Sequence, residues 1–507
     1  MVDISLAPMD VLRSFPLQLL GLRDVLFLSF LILGSLGAYR LWLHPLRSYP
    51  GPRWWALWRV PYLQSTIRGT IVRDLQRLHE QYGPVVRIAP DELSFINPEA
   101  AKPIYTSNPE FSKDPMHLPP FHNGVPGILA ADHAHHRRYR RLLAFSFSDK
   151  GLKAQQGMIQ QYIDQLIVRL HENCSTGPVD MTLWYNWATF DIIGDLAFGE
   201  SFGCLEKVET HPWIASIQGN VKAIPILNAL RRYRLSGVLG LLAPRNLLEM
   251  RRRNAQFTAD KVDRRLQHPG TARGDLWDSV LADNPNGESP MSRDEMVSNA
   301  SAIVLAGSET SATLLSGCTW LLLKNPEYLN TLTERVRSQF ARAADIDAQT
   351  VTQVEGLQAV LEESLRLYPP VPMQSNRIVP PQGAQIAGMW VPGGTSVAVQ
   401  QFVACRSADN FHRPNEFLPQ RWQGQGEFAN DRREASQPFS IGPRNCIGRQ
   451  LAYAEMRLIL VHVLWHFNLR LDQGRMKDAD WLAEQGIWIL WDKNPLWVVL
   501  EPRERKS

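Results

Sequence analysis

The sequence is poor in cysteine, and the few cysteines form no pattern. Its 507 residues include five, widely spaced, with no CxxC pair and no paired-histidine zinc motif. An odd and scattered set argues against a disulfide framework and indicates a reducing compartment around the main domain. The five are Cys174, Cys204, Cys318, Cys405 and Cys446.

The sequence also lacks features that would divide it or select a highly charged partner. It contains no internal repeat and no long Ser/Gly linker, so we expect one large catalytic domain. The 54 Lys and Arg residues nearly balance the 50 Asp and Glu residues, and the net charge of +4 is no nucleic-acid signature. Hydrophobic residues make up 44%, which is ordinary for a chain with a large core.

Long apolar runs are scarce, and the one that could cross a membrane lies near the N-terminus. Residues 25–43 are apolar or small apart from two serines and Arg40, and these 19 residues suffice to cross a bilayer. More arginines follow the run than precede it, which places the bulk of the chain in the cytosol. A signal peptide is the alternative, but its charged leader would be unusually long and no small-x-small cleavage site follows.

We therefore predict an N-terminal segment at 1–24 and a transmembrane anchor at 25–43. Pro-Gly-Pro at 50–52 cannot continue a helix, so residues 44–60 are expected to form a proline-rich hinge before a catalytic domain at 61–507. Early in that domain, Thr70–Tyr82 has the pattern of an amphipathic helix. Two short strands, Val85–Ile88 and Glu92–Ile96, are expected to follow it as a hairpin.

The stretch Phe439–Gly448 combines residue types that suit a cofactor loop. Two glycines flank Cys446, Arg444 stands two residues before it, and an apolar helix-like run follows. A helix N-terminus stabilises negative charge on sulfur, so the loop could hold a thiolate as a metal ligand. Gly442 permits a positive φ, Gly448 lets a flat ligand approach, and Arg444 could pair with an anion on that ligand. For this stretch alone, a buried structural cysteine is the alternative.

The pattern Phe-x-x-Gly-x-Arg-x-Cys-x-Gly resembles the haem-binding loop of the cytochrome P450 (haem-thiolate) monooxygenases. All five signature positions are filled. The resemblance implies haem b, with the Cys446 thiolate as axial iron ligand and with Phe439, Arg444 and Gly448 as further cofactor-binding residues. It extends over about residues 40 to 500, and the wording of the proline-rich segment is most similar to the fungal secondary-metabolism branch.

A second motif lies in the long apolar stretch Met296–Leu323, which is expected to be a helix. Gly307 costs a helix about 1 kcal/mol relative to alanine, and Glu309 and Thr310 are polar where burial is expected. The sequence around them is similar to the oxygen-binding motif of the same family, in which the acid and the threonine guide protons. That likeness implies Glu309 and Thr310 as catalytic residues and Gly307 as a cofactor contact. A bent core helix with Thr310 bonded back to a carbonyl is the alternative.

Basic residues are dense in His133–Arg141. The family has Trp-x-x-x-Arg near this point, and the resemblance places His136 and Arg140 at those two positions as contacts of a haem propionate. Histidine can still donate a hydrogen bond although it replaces the tryptophan. Arg377 matches a further propionate contact. A solvated helix face or a reductase-docking patch are the alternatives for the basic stretch.

Glu363 and Arg366 stand three residues apart, hence on one helix face before a double proline. The spacing matches the Glu-x-x-Arg motif of the family. Arg421 is its third member, in a Phe-x-Pro-x-Arg-Trp sequence where Gln420 replaces the usual glutamate. We assign these three residues a structural role. Two apolar segments, 113–130 and 484–491, match parts of the family that contact substrate.

The resemblance implies a mostly α fold with small β-sheets behind an N-terminal transmembrane helix. It implies a haem-dependent monooxygenase that inserts one oxygen atom of dioxygen into a C–H or C=C bond of a lipophilic small molecule. The expected partners are an NADPH-dependent flavoprotein reductase, cytochrome b5 as a second candidate donor, and membrane lipid. The expected location is the endoplasmic reticulum membrane, single-pass, with the catalytic domain cytosolic. A haem-thiolate isomerase or lyase acting on a peroxide and a non-catalytic haem-binding protein are the alternatives.

Overall fold

The computed structural model describes residues 21–117, 124–233, 245–267, 274–281, 289–476 and 480–504. Helices dominate these parts of the chain, which confirms the prediction of a mostly α fold. The α-helices are α1 (Leu22–Ala38), α2 (Arg53–Leu57), α3 (Val60–Arg68), α4 (Ile71–Tyr82), α5 (Ala101–Tyr105), α6 (His133–Leu143), α7 (Asp149–Cys174), α8 (Met181–Phe198), α9 (Cys204–Lys207), α10 (Pro212–Arg232), α11 (Arg245–Leu266), α12 (Asp278–Leu281), α13 (Arg293–Lys324), α14 (Pro326–Gln339), α15 (Leu357–Leu367), α16 (Gln401–Ala404), α17 (Arg449–His466) and α18 (Gln473–Met476).

The strands are short and form small sheets, as expected. The strands are β1 (Val85–Ala89), β2 (Glu92–Phe95), β3 (Ser112–Lys113), β4 (Val179–Asp180), β5 (Arg377–Ile378), β6 (Ala384–Ile386), β7 (Met389–Val391), β8 (Ser396–Val399), β9 (Phe467–Leu471), β10 (Gly486–Ile487), β11 (Trp491–Asp492) and β12 (Trp497–Pro502). A five-stranded sheet has the order β1-β2-β8-β5-β3, and a three-stranded sheet has the order β4-β12-β9. The pairs β6-β7 and β10-β11 form two-stranded sheets.

The elements predicted early in the catalytic domain are confirmed. Helix α4 buries its apolar face, and β1 pairs with β2 as an antiparallel hairpin with Val85 opposite Phe95. Strand β8 then adds parallel to β2, with Glu92 opposite Ser396. Since β5 and β3 follow in the same sheet, Arg377 and Lys113 become direct neighbours across two strands.

The N-terminal helix is exposed along nearly all of its length. It continues beyond α1 as a π-helical turn, and Leu22–Leu43 is the one helix in the described ranges that is long and apolar enough to cross a membrane. Its mean hydropathy is 1.7 and only 6% of it is buried. Where it ends, Arg40 Nη1 donates to the carbonyl of Leu57 at 2.6 Å, and Arg87 Nη1 donates to the carbonyl of Arg40 at 3.0 Å. The first 20 residues of the predicted N-terminal segment lie outside the described residues.

Two helices form the centre of the domain. Nearly every residue of α8 is buried, so this helix has no polar face, and it packs along α13. Helix α13 is capped by Ser292, the residue before it, whose Oγ accepts a hydrogen bond from the backbone of Glu295 at 3.3 Å. Helix α13 also contacts α17. The predicted Met296–Leu323 helix is thereby confirmed.

Candidate active site

One stripe of α13 stays accessible although the helix lies in the core. Ala302, Leu305, Ala306 and Thr310 are exposed or partly exposed, whereas Ser308, Glu309 and Ser311 are buried. The accessible residues are spaced three or four apart, which puts them on one face of the helix. This face of α13 therefore borders an open space inside the domain.

The loop before α17 is a tight turn with an accessible thiol. Gly442 has φ of 79°, and a Cβ there would lie 2.1 Å from the carbonyl oxygen of Tyr105, so only glycine fits, as predicted. The backbone N–H of Cys446 donates to the carbonyl of Phe439 at 2.9 Å and fixes the turn. A Cβ on Gly448 would come no closer than 3.7 Å to Phe147. The protein itself therefore does not require glycine at 448, whereas a flat ligand would.

Cys446 lies in a recess. Its side chain is exposed, yet desolvation by the surrounding protein raises the pKa of its thiol. The backbone N–H of Gly448 and the charges of Arg140 and Arg449 act in the opposite direction. A metal ion bound here would displace the thiol proton, because the thiolate is the form that ligates metals.

Basic side chains converge beside this recess. Arg140 Nη1 donates to the carbonyl of Asn445 at 2.6 Å, which ties α6 to the cysteine loop. Arg444 Nε donates to Glu110 at 2.8 Å and Arg444 Nη1 to the carbonyl of Ala131 at 2.8 Å. Three of the predicted cofactor contacts on separate elements are thus close together, namely Arg140, Arg377 and Arg444.

The basic side chains beside the recess carry more positive charge than the nearby carboxylate neutralises. Burial and then the charges of Arg377 and Arg444 lower the pKa of Lys113 to about 7. Burial and then Arg444 and Lys113 lower the pKa of His136 to about 4, so its imidazole is neutral and keeps one N–H donor. In the described residues the offsetting carboxylate is Glu110, already bonded to Arg444. An anionic ligand would relieve this repulsion.

The polar residues of α13 have protein partners. Thr310 Oγ1 donates back to the carbonyl of Ala306 at 2.6 Å. Glu309 accepts a hydrogen bond from Lys493 Nζ at 2.5 Å, a partner that its sequence motif did not reveal. A Cβ on Gly307 would lie 2.8 Å from Ile193, so the close approach of α8 accounts for this glycine. The role of Gly307 as a cofactor contact stays a prediction.

A second buried acid reaches α13 from the opposite side. Glu455 of α17 is only 2% exposed, and burial raises the pKa of its carboxyl to about 8 despite a hydrogen bond with Ser311. Glu455 is not among the predicted site residues. The available signal was an acidic side chain within the mostly apolar stretch Leu451–Leu464.

Glu363, Arg366 and Arg421 form a closed buried network. All three side chains are fully buried, Arg366 Nε donates to Glu363 at 2.9 Å and Arg421 Nε donates to Glu363 at 2.9 Å. Trp422 Nε1 adds a further donor to the same carboxylate at 3.0 Å. Asp431, which the sequence analysis missed, accepts from Arg421 at 2.5 Å and balances the second positive charge.

A cleft with a cavity volume of about 80 Å³ opens between α3, α10 and the β10–β11 hairpin. Its wall includes His117 from the predicted 113–130 loop and Ile489 from the predicted 484–491 hairpin. Part of that loop, with Leu118 and Phe121, lies outside the described residues. The described end of the loop is bound to α13 by a hydrogen bond, which the backbone N–H of Ile128 donates to Asn299 Oδ1 at 2.8 Å.

The family model described as Cytochrome P450 matches residues 49–487. The chain belongs to the cytochrome P450 family. This match covers most of the chain and includes the cysteine loop, the α13 motif and the Glu363 network.

Relatives of this cytochrome P450 are named for reactions in fungi. Averantin hydroxylase of Aspergillus parasiticus is 78% identical over 479 residues, which cover 94% of this chain and 97% of the relative. Cytochrome P450 monooxygenase stcF of Emericella nidulans is 79% identical over 473 residues, covering 93% and 98%. Averantin hydroxylase of Dothistroma septosporum is 67% identical over 466 residues, covering 92% and 88%. The chain is therefore a haem-dependent monooxygenase of secondary metabolism.

The residues present fit the haem-thiolate iron that the family implies. No group of three or more His, Cys, Asp or Glu side chains in the described ranges could hold a metal ion by itself. The exposed thiol of Cys446 beside a cationic group suits a cofactor that brings its own metal ligands and carries anionic substituents. Gly448 leaves the space on its Cα side that a planar ring would need.

Proposed function

We propose that this cytochrome P450 hydroxylates averantin. The observation that carries the proposal is the pair of relatives named averantin hydroxylase, which match nearly the whole chain at 78% and 67% identity. Both relatives carry the same activity in their names, although the chain is 78% identical to one and 67% identical to the other. The reaction consumes averantin, dioxygen, NADPH and a proton, and yields hydroxylated averantin, water and NADP⁺.

Cys446 would hold the haem iron through its thiolate, and His136, Arg140, Arg377 and Arg444 would pair with the propionates. The excess positive charge of Arg140, Arg377 and Arg444 supports the assignment, since a propionate would offset the repulsion that, in addition to burial, lowers the pKa values of Lys113 and His136. The neutral imidazole of His136 would contribute a hydrogen bond. When bound, the haem iron supplies the reductive activation of dioxygen, which no amino-acid side chain provides. Phe439, Gly307 and Gly448 would complete the cofactor contacts.

Thr310 and Glu309 would move protons on the distal side. Thr310 lies on the accessible stripe of α13, and its hydroxyl both donates to Ala306 and retains acceptor capacity. Glu309 is the neighbouring acid and is fixed by Lys493. Together they provide a hydroxyl at the open space and an acid behind it.

The electrons would come from NADPH through a flavoprotein reductase, with cytochrome b5 as a second donor. The chain would be anchored in the endoplasmic reticulum membrane by residues 25–43, with 1–24 before the anchor, a hinge at 44–60 and a cytosolic catalytic domain at 61–507. The exposed apolar helix Leu22–Leu43 supports the anchor. The cleft beside His117 and Ile489 would admit a lipophilic substrate.

The assay uses the full chain with a flavoprotein reductase in membranes, supplied with averantin, NADPH and isotopically labelled dioxygen. We expect a product heavier than averantin by one oxygen atom that carries the label. The Cys446→Ala variant serves as the inactive control. Recovery of unchanged averantin from membranes that contain haem-loaded protein and active reductase would contradict the proposal.

Thr310→Ala tests the proton role. We expect haem binding and NADPH use to persist while product per NADPH falls and hydrogen peroxide rises. General acid–base groups contribute about 10²–10⁴ in rate, and because water can replace a hydroxyl as proton carrier we expect a loss at or below the lower end of that range. Ser316→Ala is the matched control, since Ser316 donates to the carbonyl of Ala312 at 2.8 Å on the same helix. Equal coupling in the two variants would remove Thr310 from the mechanism.

A further inference from the structure

The strongest contact that the proposed function leaves unexplained joins α13 to the segment after β11. Lys493 Nζ donates to Glu309 Oε2 at 2.5 Å and to Thr313 Oγ1 at 2.9 Å. The side chains of Lys493 and Glu309 are 3% and 5% exposed. The two residues are 184 positions apart in the chain, so this is a tertiary contact built by the fold.

Only one oxygen of the Glu309 carboxylate is engaged by the protein. Glu309 Oε1 is buried and has no hydrogen-bond partner among the described residues. A buried oxygen without a partner is unfavourable, so the site favours a small donor at that position. The lysine thus fixes one oxygen and leaves the other free to exchange a proton with such a donor.

The backbone around Lys493 is held in place on several sides. Trp491 Nε1 donates to the carbonyl of Pro369 at 2.8 Å, and Trp481 Nε1 donates to the carbonyl of Asn494 at 2.9 Å. The β10–β11 hairpin that precedes Lys493 contributes Trp488 and Ile489 to the cleft. Lys493 therefore connects the cleft wall with the acid on α13.

Tyr368 is a titratable group that lies near enough to Glu309 to respond to its charge. Tyr368, at the end of α15, donates to Gln485 Oε1 at 2.5 Å. Burial first, and the charge of Glu309 in addition, raise its pKa, so it stays neutral. The nearby charge that balances the Glu309 carboxylate is thus the ammonium of Lys493.

We propose that Lys493 is a positioning residue for proton delivery: its ammonium group holds Glu309 Oε2 and leaves the buried oxygen Oε1 free for a small proton carrier. The proposal rests on the proposed proton role of Glu309 and deepens it. Without the ammonium group, a buried carboxylate has no counter-ion and takes up a proton instead. A variant without Lys493 would therefore hold Glu309 loosely and would deliver protons less well.

Lys493→Met tests this with infrared spectroscopy at neutral pH and with the ratio of product to NADPH. We expect an added carbonyl band of a protonated carboxylic acid relative to wild type, and its disappearance in the double variant Glu309→Gln/Lys493→Met. We also expect product per NADPH to fall at least as far as in Glu309→Gln. An unchanged spectrum with unchanged coupling would overturn the proposal and leave Lys493 as a tether of the hairpin.

Lys222→Met is the matched control, because Lys222 bonds Asp492 at 2.7 Å at the surface and so tethers the adjacent residue without touching Glu309. It should match wild type in both readouts, and a loss of coupling equal to that in Lys493→Met would also overturn the proposal. If Lys493→Met does not fold, Thr313→Val decides. It retains both charges and the bond to Glu309 but removes the second bond of Lys493, so we expect partial uncoupling without the acid band, and normal coupling would count against the proposal.

The comparison with Glu309→Gln separates this inference from the proposed function. Normal coupling in Glu309→Gln would refute the proton role of Glu309 itself. Reduced coupling in Glu309→Gln together with normal coupling in Lys493→Met would refute only the role of Lys493. Failure of wild type to convert averantin would refute the substrate and leave both residues testable by the infrared band.

Discussion

Glu455 is a buried carboxylic acid that keeps its proton near neutral pH. Burial raises its pKa from the ordinary 4.5 to about 8 in the folded protein. The folded state therefore binds this proton more tightly than the unfolded chain does. The resulting stability is fully present below about pH 4.5 and is lost as the pH rises through about 8.

Glu455→Gln should remove this part of the pH dependence. A pKa difference of one corresponds to about 1.4 kcal/mol, so we expect wild type to lose up to about 5 kcal/mol between acid and alkaline pH through this residue alone. Thermal unfolding of the haem-loaded protein across this range measures the effect. The control is Glu80→Gln, which alters an exposed acid on α4. A pH profile in Glu455→Gln identical to that of wild type would disprove the assignment.

Individual residues differ in how far the sequence could predict them. The positive φ of Gly442 and the pairing of Glu363 with Arg366 depend on local spacing, and both are observed. The partner of Glu309 could not be predicted, because Lys493 follows a hairpin whose placement depends on the whole fold. For Gly307, the sequence indicated a close approach but could not show that Ile193 makes it.

Among the elements, the segment from α15 to the loop at Arg421 depends on one carboxylate. Glu363 accepts hydrogen bonds from Arg366, Arg421 and Trp422 and from the backbone of Leu418. Burial alone would raise the pKa of Glu363, but the hydrogen bond and charge of Arg366 and the charge of Arg421 outweigh it and lower the pKa. The carboxylate is therefore charged at neutral pH and holds both arginines in place.

Glu363→Ala should leave both fully buried arginines without this partner. Breaking a buried ion pair by removing one side costs about 3–5 kcal/mol, so we expect low yield and weak haem retention. Haem absorbance per protein measures retention. Glu362→Ala is the matched control on the same helix, because Glu362 is partly exposed and accepts from Tyr453 at 2.7 Å. A stable Glu363→Ala protein with a full complement of haem would contradict this role.

The long helices and strands could be predicted from the sequence, whereas the contacts between side chains of different elements could not. Helix α13 and the β1–β2 hairpin were recognised because their apolar patterns are local. The meeting of Lys113 with Arg377 depends on strand order in a five-stranded sheet that no local pattern specifies. The cationic group beside Cys446 is a product of that topology.

Across the whole molecule, the N-terminal helix and the catalytic domain are expected to have separate roles. Deleting residues 1–43 should reduce membrane attachment and leave the haem spectrum unchanged, because the hydrogen bonds of Arg40 join this helix to α2 and β1 and not to the cysteine loop. The deletion removes the Arg40 bonds to Leu57 and Arg87, so a modest loss of thermal stability is also expected. Membrane fractionation and absorbance measure the two effects. An altered haem spectrum would show that the helix shapes the site.

The proposed role of the Cys446 loop is to bind haem iron through a thiolate. The most direct measurement is the absorbance of the reduced protein with carbon monoxide, whose band position distinguishes thiolate from other axial ligands. We expect the thiolate band in wild type, in Thr310→Ala and in Lys493→Met, and its loss in Cys446→Ala. A thiolate band that persists in Cys446→Ala would contradict the account.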